Sequence, residues 1–259
     1  PKNFRHISKW TDTIRSPERI SAMFRRAFNE MRTGRPGPVV LELPRDVMAA
    51  EVPEAAQNYI AAKTGKFLPP QSDIESAVDA LLNAKRPLIW SGQGVLMGAA
   101  SESLTELAEL AGIPVMTTMP GKSGFNETHP LSLGATNLTY SGQARKWLDE
   151  SDVVFAVGTS MTGTHYGQRP PDGKTLIHCS ADPSDINRDY DIDMPLPGDA
   201  KLVLDAMIEI ANGKVSEPGH RRRAETEREI KASRDPWMES WQPILTSDEF
   251  PINPYRVIW

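Results

Sequence analysis

Gly92-Gln93-Gly94, with Gly98 four residues on, is the stretch whose residue types and spacing most directly suggest chemistry. It follows the short apolar run Leu88-Ile89-Trp90, so it reads as a buried strand opening through a glycine turn into a helix. Such a turn lets backbone approach a ligand closely, and the helix behind it offers unpaired N–H groups to an anion. The G-x-G-x-x-x-G spacing is close to a dinucleotide fingerprint. The nicotinamide version needs an acid at the end of the second strand to hold the ribose hydroxyls, and that place reads Met116-Thr117-Thr118. A different nucleotide, or a plain tight turn, remains open.

Three other patterns fail on inspection. Gly121-Lys122-Ser123 imitates the end of a phosphate-binding P-loop, but Met116 stands where the loop needs its first glycine, and Pro120 removes an N–H. Gly158-Thr159-Ser160-Met161-Thr162 has the start of a nucleophile elbow without its closing glycine. His165 and His178 lie close in sequence, yet nothing marks either as its base, and each taken singly reads as structural or solvent-facing. The five histidines and single cysteine show no metal-ligand spacing, and no carboxylate pair stands out for acid–base work.

The elements that must position these residues alternate along the chain. Ser72-Asp73-Ile74-Glu75 has the form of a capping box, starting a helix with Ile74, Ala77, Val78, Leu81 and Leu82 on one face. After the strand and glycine turn, a helix carrying Leu104, Leu107, Ala108 and Ala111 stops at Gly112, and Val115 to Thr118 is the second strand. A long loop fills 119–134, a length that is often functional. Trp147 and Leu148 sit on a short helix. Strands follow at Asp152–Val157 and Lys174–Cys179, then a brief extended piece to Leu196 and a last helix capped by Asp199. Strands alternating with helices imply an α/β fold: a Rossmann-like parallel sheet covered by helices on both faces. The loops at 91–94, 117–124, 158–167 and 180–185 all follow strands, so they should share the carboxyl edge, where such sheets bind ligands.

The ends read differently. Residues 1–15 carry little pattern. Ser16-Pro17-Glu18 announces a helix with Ile20, Met23, Phe24, Ala27, Phe28 and Met31 at helical spacing, and Val39–Leu43 forms a strand closed by Pro44. One helix and one strand do not own a core, so residues 1–48 read as the tail of a domain and 49–70 as a linker. The central domain spans 71–212. Residues 213–250 turn polar, with Arg221-Arg222-Arg223 interleaved among glutamates as on a solvated helix, and read as a second linker. Asn253-Pro254 then opens a helix in 251–259 that belongs to a further domain.

With 39% hydrophobic and 24% charged residues the composition is that of a globular protein, and the net charge of −5 argues against nucleic acid as a partner. No apolar run is long enough to span a bilayer, the amino terminus lacks a signal peptide's apolar stretch, and one cysteine fits a reducing compartment, so the default location is cytoplasmic.

At residues 34–47, GRPGPVVLELPRDV, the sequence resembles the thiamine-diphosphate-dependent enzymes of the acetolactate synthase type, in which this motif closes the pyrimidine-binding domain. The likeness continues in order through KRPLIWSGQGV, TTMPGKSGFNETHPLSLG, DVVFAVGTS, HCSADPSDIN and PGDA. The resemblance implies a three-domain enzyme that decarboxylates or ligates 2-oxo acids or related small molecules, working as a homodimer or homotetramer. Its flanking domains would supply the activating glutamate and the GDG…N motif for Mg²⁺ and diphosphate. Neither motif occurs in these 259 residues, so the piece alone should have no turnover. The central domain would hold FAD or an ADP-like nucleotide, with candidate contacts at Gly92, Gln93, Gly94, Thr117, Thr118, Asp182 and Asp199. The family's arginine-rich segment, however, falls on Gly158–Thr164 with both arginines replaced, and the first acid of its D-x-D turn falls on Ser180. The reading from another class is a free-standing nucleotide-binding or scaffold module.

Overall fold

The computed structural model describes residues 1–136, 141–163, 169–215 and 217–259, and the chain divides into two compact units, Pro1–Phe67 and Leu68–Trp259.

In the first unit, β1 (Trp10–Thr13) and β2 (Val39–Glu42) pair in parallel around α1 (Ile20–Arg32), followed by α2 (Arg45–Ala49) and α3 (Glu54–Gln57). Strand β1 lies in the stretch that carried little pattern. Its residues Trp-Thr-Asp-Thr are all half-buried, so no in–out alternation is written into them. Ile14, Met23 and Val47 form a small core. The span expected as a linker holds α3, whose Ala56 is buried and whose carbonyl accepts from the Ser21 hydroxyl.

The second unit is built on a six-stranded, all-parallel sheet. Its elements are α4 (Gln71–Asn83), β3 (Pro87–Ser91), α5 (Gln93–Met97), α6 (Ser101–Ala111), β4 (Val115–Thr118) and β5 (Ser132–Thr136). Then come α7 (Gly142–Glu150), β6 (Val153–Val157), β7 (Thr175–Ser180), β8 (Met194–Pro197), α8 (Ala200–Asn212), α9 (Glu217–Leu245) and α10 (Pro254–Ile258). The strand order is β5-β4-β3-β6-β7-β8. The chain therefore winds outward from β3 in one direction, then returns to β6 and winds outward in the other, which is the doubly wound arrangement. Strand β5 was expected as part of a loop; it begins only at Ser132, and its Ser-Leu-Gly-Ala-Thr sequence is weakly strand-like.

Alternation along the strands sorts the core into two layers. Ile89, Val115, Phe155, Val157 and Ile177 face α4, α6 and α8, while Leu88, Trp90, Met116, Val154 and Ala156 face the side that holds Trp147 of α7 and Ile230 of α9. The capping box at 72–75 does not form. Helix α4 starts at Gln71, directly after Pro70, so Ser72 lies inside the first turn and its hydroxyl donates to Asp73 at 3.2 Å. Asp199 does cap α8, accepting from the N–H groups of Lys201 and Leu202. Asn253 caps α10 in the same way, accepting from Tyr255.

The polar stretch expected as a linker is mostly α9, and one side of that helix is fastened to the sheet's amino edge. The Arg222 guanidinium donates to the carbonyls of Leu81, Leu82 and Ala84 at the end of α4. The Thr226 hydroxyl donates to Gly112 just ahead of β4 at 3.1 Å, and Arg234 reaches the Ser132 carbonyl at the start of β5. Glu229 pairs with Arg86 at 3.0 Å and Lys146 at 3.1 Å, and the same Arg86 lies 4.0 Å above the Trp147 ring. Arg222, Thr226 and Arg234 thus satisfy carbonyls that strands and helices leave open at their ends, and Glu229 pairs with cations.

Candidate functional site

The carboxyl edge of the sheet gathers the loops singled out in the sequence, and at its middle they touch through backbone. Past the end of β3, Gly92 N–H donates to Val157 O at 2.9 Å and Gly94 N–H to Gly158 O at 2.7 Å. A Cβ at Gly92 would stand 2.3 Å from Gly158 O, one at Gly94 2.7 Å from Gly158 Cα, and one at Gly121 2.7 Å from the carbonyl carbon of Gly92. Gly158 itself has φ +63°, in the left-handed region. The glycines are thus required by three loops of this chain meeting one another.

Two buried hydroxyls lie at the ends of β3 and β4. Ser91 and Thr117 are neighbours in register on β3 and β4, both buried, and neither hydroxyl oxygen has a hydrogen bond among the described residues. Thr117 uses its carbonyl, which accepts from Thr136 at 3.0 Å, and the Thr118 hydroxyl accepts from Gly121 N–H at 3.1 Å. Gln93 is exposed.

On the β6–β7 side a network of charge joins two loops. The Arg188 guanidinium lies 2.7 Å from Asp185 and donates to Ser160 O at 3.2 Å and to the Thr162 hydroxyl. Asp189 accepts from Gly163 N–H at 2.9 Å, and the Ser180 hydroxyl donates to the buried Asp185 at 3.0 Å. Asp182 accepts from Ser184 N–H at 3.0 Å and so caps its own turn. His178 is fully buried, and its Nε2–H donates to Thr159 O at 2.8 Å, which leaves Nδ1 as an acceptor with no partner among the described residues. Burial holds its pKa below the ordinary histidine range against the opposing pull of that carbonyl. Cys179, fully enclosed behind Asp199, has its thiol pushed up to about 12 by burial first and that carboxylate second.

The candidate residues therefore fall into groups. Gly92, Gln93, Gly94, Thr117 and Thr118 converge where β3 and β4 end. Asp182 and Asp199 follow β7 and β8 and serve as caps for the turn and helix they begin. Thr164 and His165 lie outside the described residues. Sequence reading passed over Ser91 and Arg188, since a lone serine and a loop arginine carry no spacing signal.

A pyrophosphate at the switch point would need outward-pointing N–H groups at the start of α5 and a cation nearby. Gly94 N–H is committed to Gly158 O, and Val95 N–H to Gly92 O at 3.2 Å. Residues 158–163 contain no basic side chain; Arg188, which reaches them, is already matched by Asp185 and by Asp189 at 3.4 Å, and Arg169 comes beside Gly163 next to the same Asp189. The described residues, committed to one another in this way, do not fit a dinucleotide phosphate. Nor, among the described residues, do three acidic, histidine or cysteine side chains group as for a metal ion.

A family model described as the thiamine pyrophosphate enzyme central domain matches residues 74–207, more than half of the chain, from within α4 into α8. The chain belongs to this family. Among curated relatives of this central-domain family, an acetolactate synthase large subunit (so described as probable) of Methanococcus aeolicus is 31% identical, over 98% of this chain and 44% of its own length. A glyoxylate carboligase of Escherichia coli O157:H7 is 33% identical over 79% of this chain and 35% of its own length. The chain spans less than half the length of the curated relatives it matches. Benzoylformate decarboxylase from Polynucleobacter necessarius superposes with a TM-score of 0.67 at 24% identity, covering 80% of this chain and 40% of that one, a likeness that shows the fold. Among the described residues no helix is long and apolar enough to cross a membrane.

Proposed function

We propose that this chain is the central portion of a thiamine-diphosphate-dependent enzyme that decarboxylates or ligates a 2-oxo acid or a related small molecule. The observation that carries the reading is the family match over 74–207, set within relatives about twice as long as this chain. On this reading 1–48 closes the pyrimidine-binding domain, 49–70 links it to the central domain, and 251–259 opens the diphosphate-binding domain. Thiamine diphosphate would supply a nucleophilic carbon that holds the substrate's acyl carbanion. Its activating glutamate and its Mg²⁺ and diphosphate ligands would come from the flanking domains, in a cytoplasmic homodimer or homotetramer. What the chain's own residues contribute is a rigid spacer whose carboxyl-edge loops are fixed by backbone contacts.

The test has two arms. The complete gene product, given pyruvate or glyoxylate with thiamine diphosphate and Mg²⁺, should release carbon dioxide, and the 259-residue chain alone should not. Turnover by the isolated chain, or a gene that starts near Pro1 and stops after Trp259, would overturn the reading.

A further inference from the structure

We infer that the carboxyl edge of this sheet is filled by the chain itself, so that internal groups hold together the loops that a bound dinucleotide would otherwise bridge. A doubly wound sheet offers its ligand crevice where the chain reverses direction, here between β3 and β6. In this protein that crevice is closed. The Gly158 carbonyl occupies the position facing the Gly94 N–H, 2.7 Å away, where a phosphate oxygen would have to accept. The approach is close enough that even a methyl group at Gly92 would meet backbone at 2.3 Å, so no ligand atom fits between the two loops.

The charge follows the same logic. A pyrophosphate brings negative charge that joins loops through cations and N–H groups. Here Arg188 bridges the loop after β6, through Ser160 O and the Thr162 hydroxyl, to the turn after β7, through Asp185. Asp189 holds Gly163 N–H from the same side. The anions in this network are the chain's own: Asp185 and Asp189 face Arg188 at 2.7 and 3.4 Å, negative charge that would repel a phosphate. This inference concerns the central domain's own ligand state and stands whether or not the whole enzyme uses thiamine diphosphate.

Hydrogen–deuterium exchange on the 259-residue chain tests it, with cooperative thermal unfolding as the check that the chain is folded. The Gly94 amide should be protected with nothing added. Millimolar FAD or ADP should leave that protection and the unfolding temperature unchanged, and denaturing the purified chain should release no flavin absorbance. In Arg188→Met, exchange across 158–163 should speed up about tenfold or more, since one charge-assisted bond contributes about 1.5 kcal/mol or more. The Gly92–Val95 amides should stay slow. A fast Gly94 amide that slows with FAD or ADP, or flavin released on denaturation, would overturn the inference. Unchanged exchange at 158–163 in the arginine variant would overturn the bridging role.

Discussion

Replacing Gly92 by alanine measures how tightly the carboxyl-edge junction is built. The backbone at Gly92 is ordinary extended chain, φ −109° and ψ −176°, so alanine meets no conformational penalty and the whole cost is steric. The new Cβ would stand 2.3 Å from Gly158 O and 2.6 Å from Thr159 Cα. A comfortable carbon–oxygen approach is about 3.3 Å, so the loops must part by roughly 1 Å. Both neighbours are backbone, held by the bonds from Gly92 to Val157 and from Gly94 to Gly158, and neither can swing away. Overpacking of this kind costs about 1–3 kcal/mol, and weakening two backbone bonds adds about 1–2 kcal/mol. The lost freedom of the unfolded chain returns about 0.4–1 kcal/mol. The expected net loss is about 2–4 kcal/mol, or roughly 5–12 °C in the unfolding temperature of a unit this size. Gly142→Ala is the control: its Cβ would meet nothing within 4 Å, and it should leave stability unchanged or raise it by up to about 1 kcal/mol. Calorimetry and urea unfolding of both variants decide the matter. If Gly92→Ala unfolds at the same temperature as Gly142→Ala, the junction is looser than described and the reasoning fails.

Ile230→Ala, which empties a fully buried place beneath α9, should cost about 2–5 kcal/mol by urea unfolding. A cost within the range of a surface substitution would mean that α9 is not part of the core. Arg222→Ala, which strips the end of α4 of its donors, should cost about 1–3 kcal/mol in the same assay, with Arg228→Ala as an exposed comparison. Cys179 should resist thiol reagents at pH 8 in the folded chain and react at once in urea. Its raised pKa also means that above pH 9 the unfolded chain gives up a proton the folded chain keeps, so folding should weaken as pH climbs from about 9 to 12. On the acid side, the Glu109 carboxyl is held below its ordinary 4.5 by the hydrogen bond from His129 first, then by Arg223 against the effect of burial. The stability it contributes is complete above pH 4.5 and is lost as pH falls through its folded value, so Glu109→Gln should flatten that part of the acid limb.

The long apolar or cleanly periodic segments were legible in the sequence. β3 and β6 announced themselves because every one of their residues is buried and both faces of the sheet are covered. Helices α6 and α8 followed from Leu104, Leu107 and Ala108, and from Asp199 with Val203 and Met207. β1 and β5 escaped because their residues are polar, small or evenly half-buried, and only pairing with a neighbouring strand makes them strands. α9 was read as solvated since its charges outnumber its apolar residues. Which of those charges meet carbonyls at the sheet's amino edge depends on contacts more than a hundred residues away in sequence. At the carboxyl edge the glycines were found, but their reason was not. A glycine that admits a ligand and a glycine that admits a neighbouring loop look alike until the loop is in place.

The two prolines of β8, at 195 and 197, bear on how the molecule avoids sticking to itself. Gly198 N–H turns toward β7, and alternation along the strand sends Leu196 the same way and both prolines outward. That rim of the sheet therefore offers no amide hydrogens at either position, and a stray strand cannot zip onto it. Along this border, contact with other chains has to proceed through side chains, and ribbon growth is closed off.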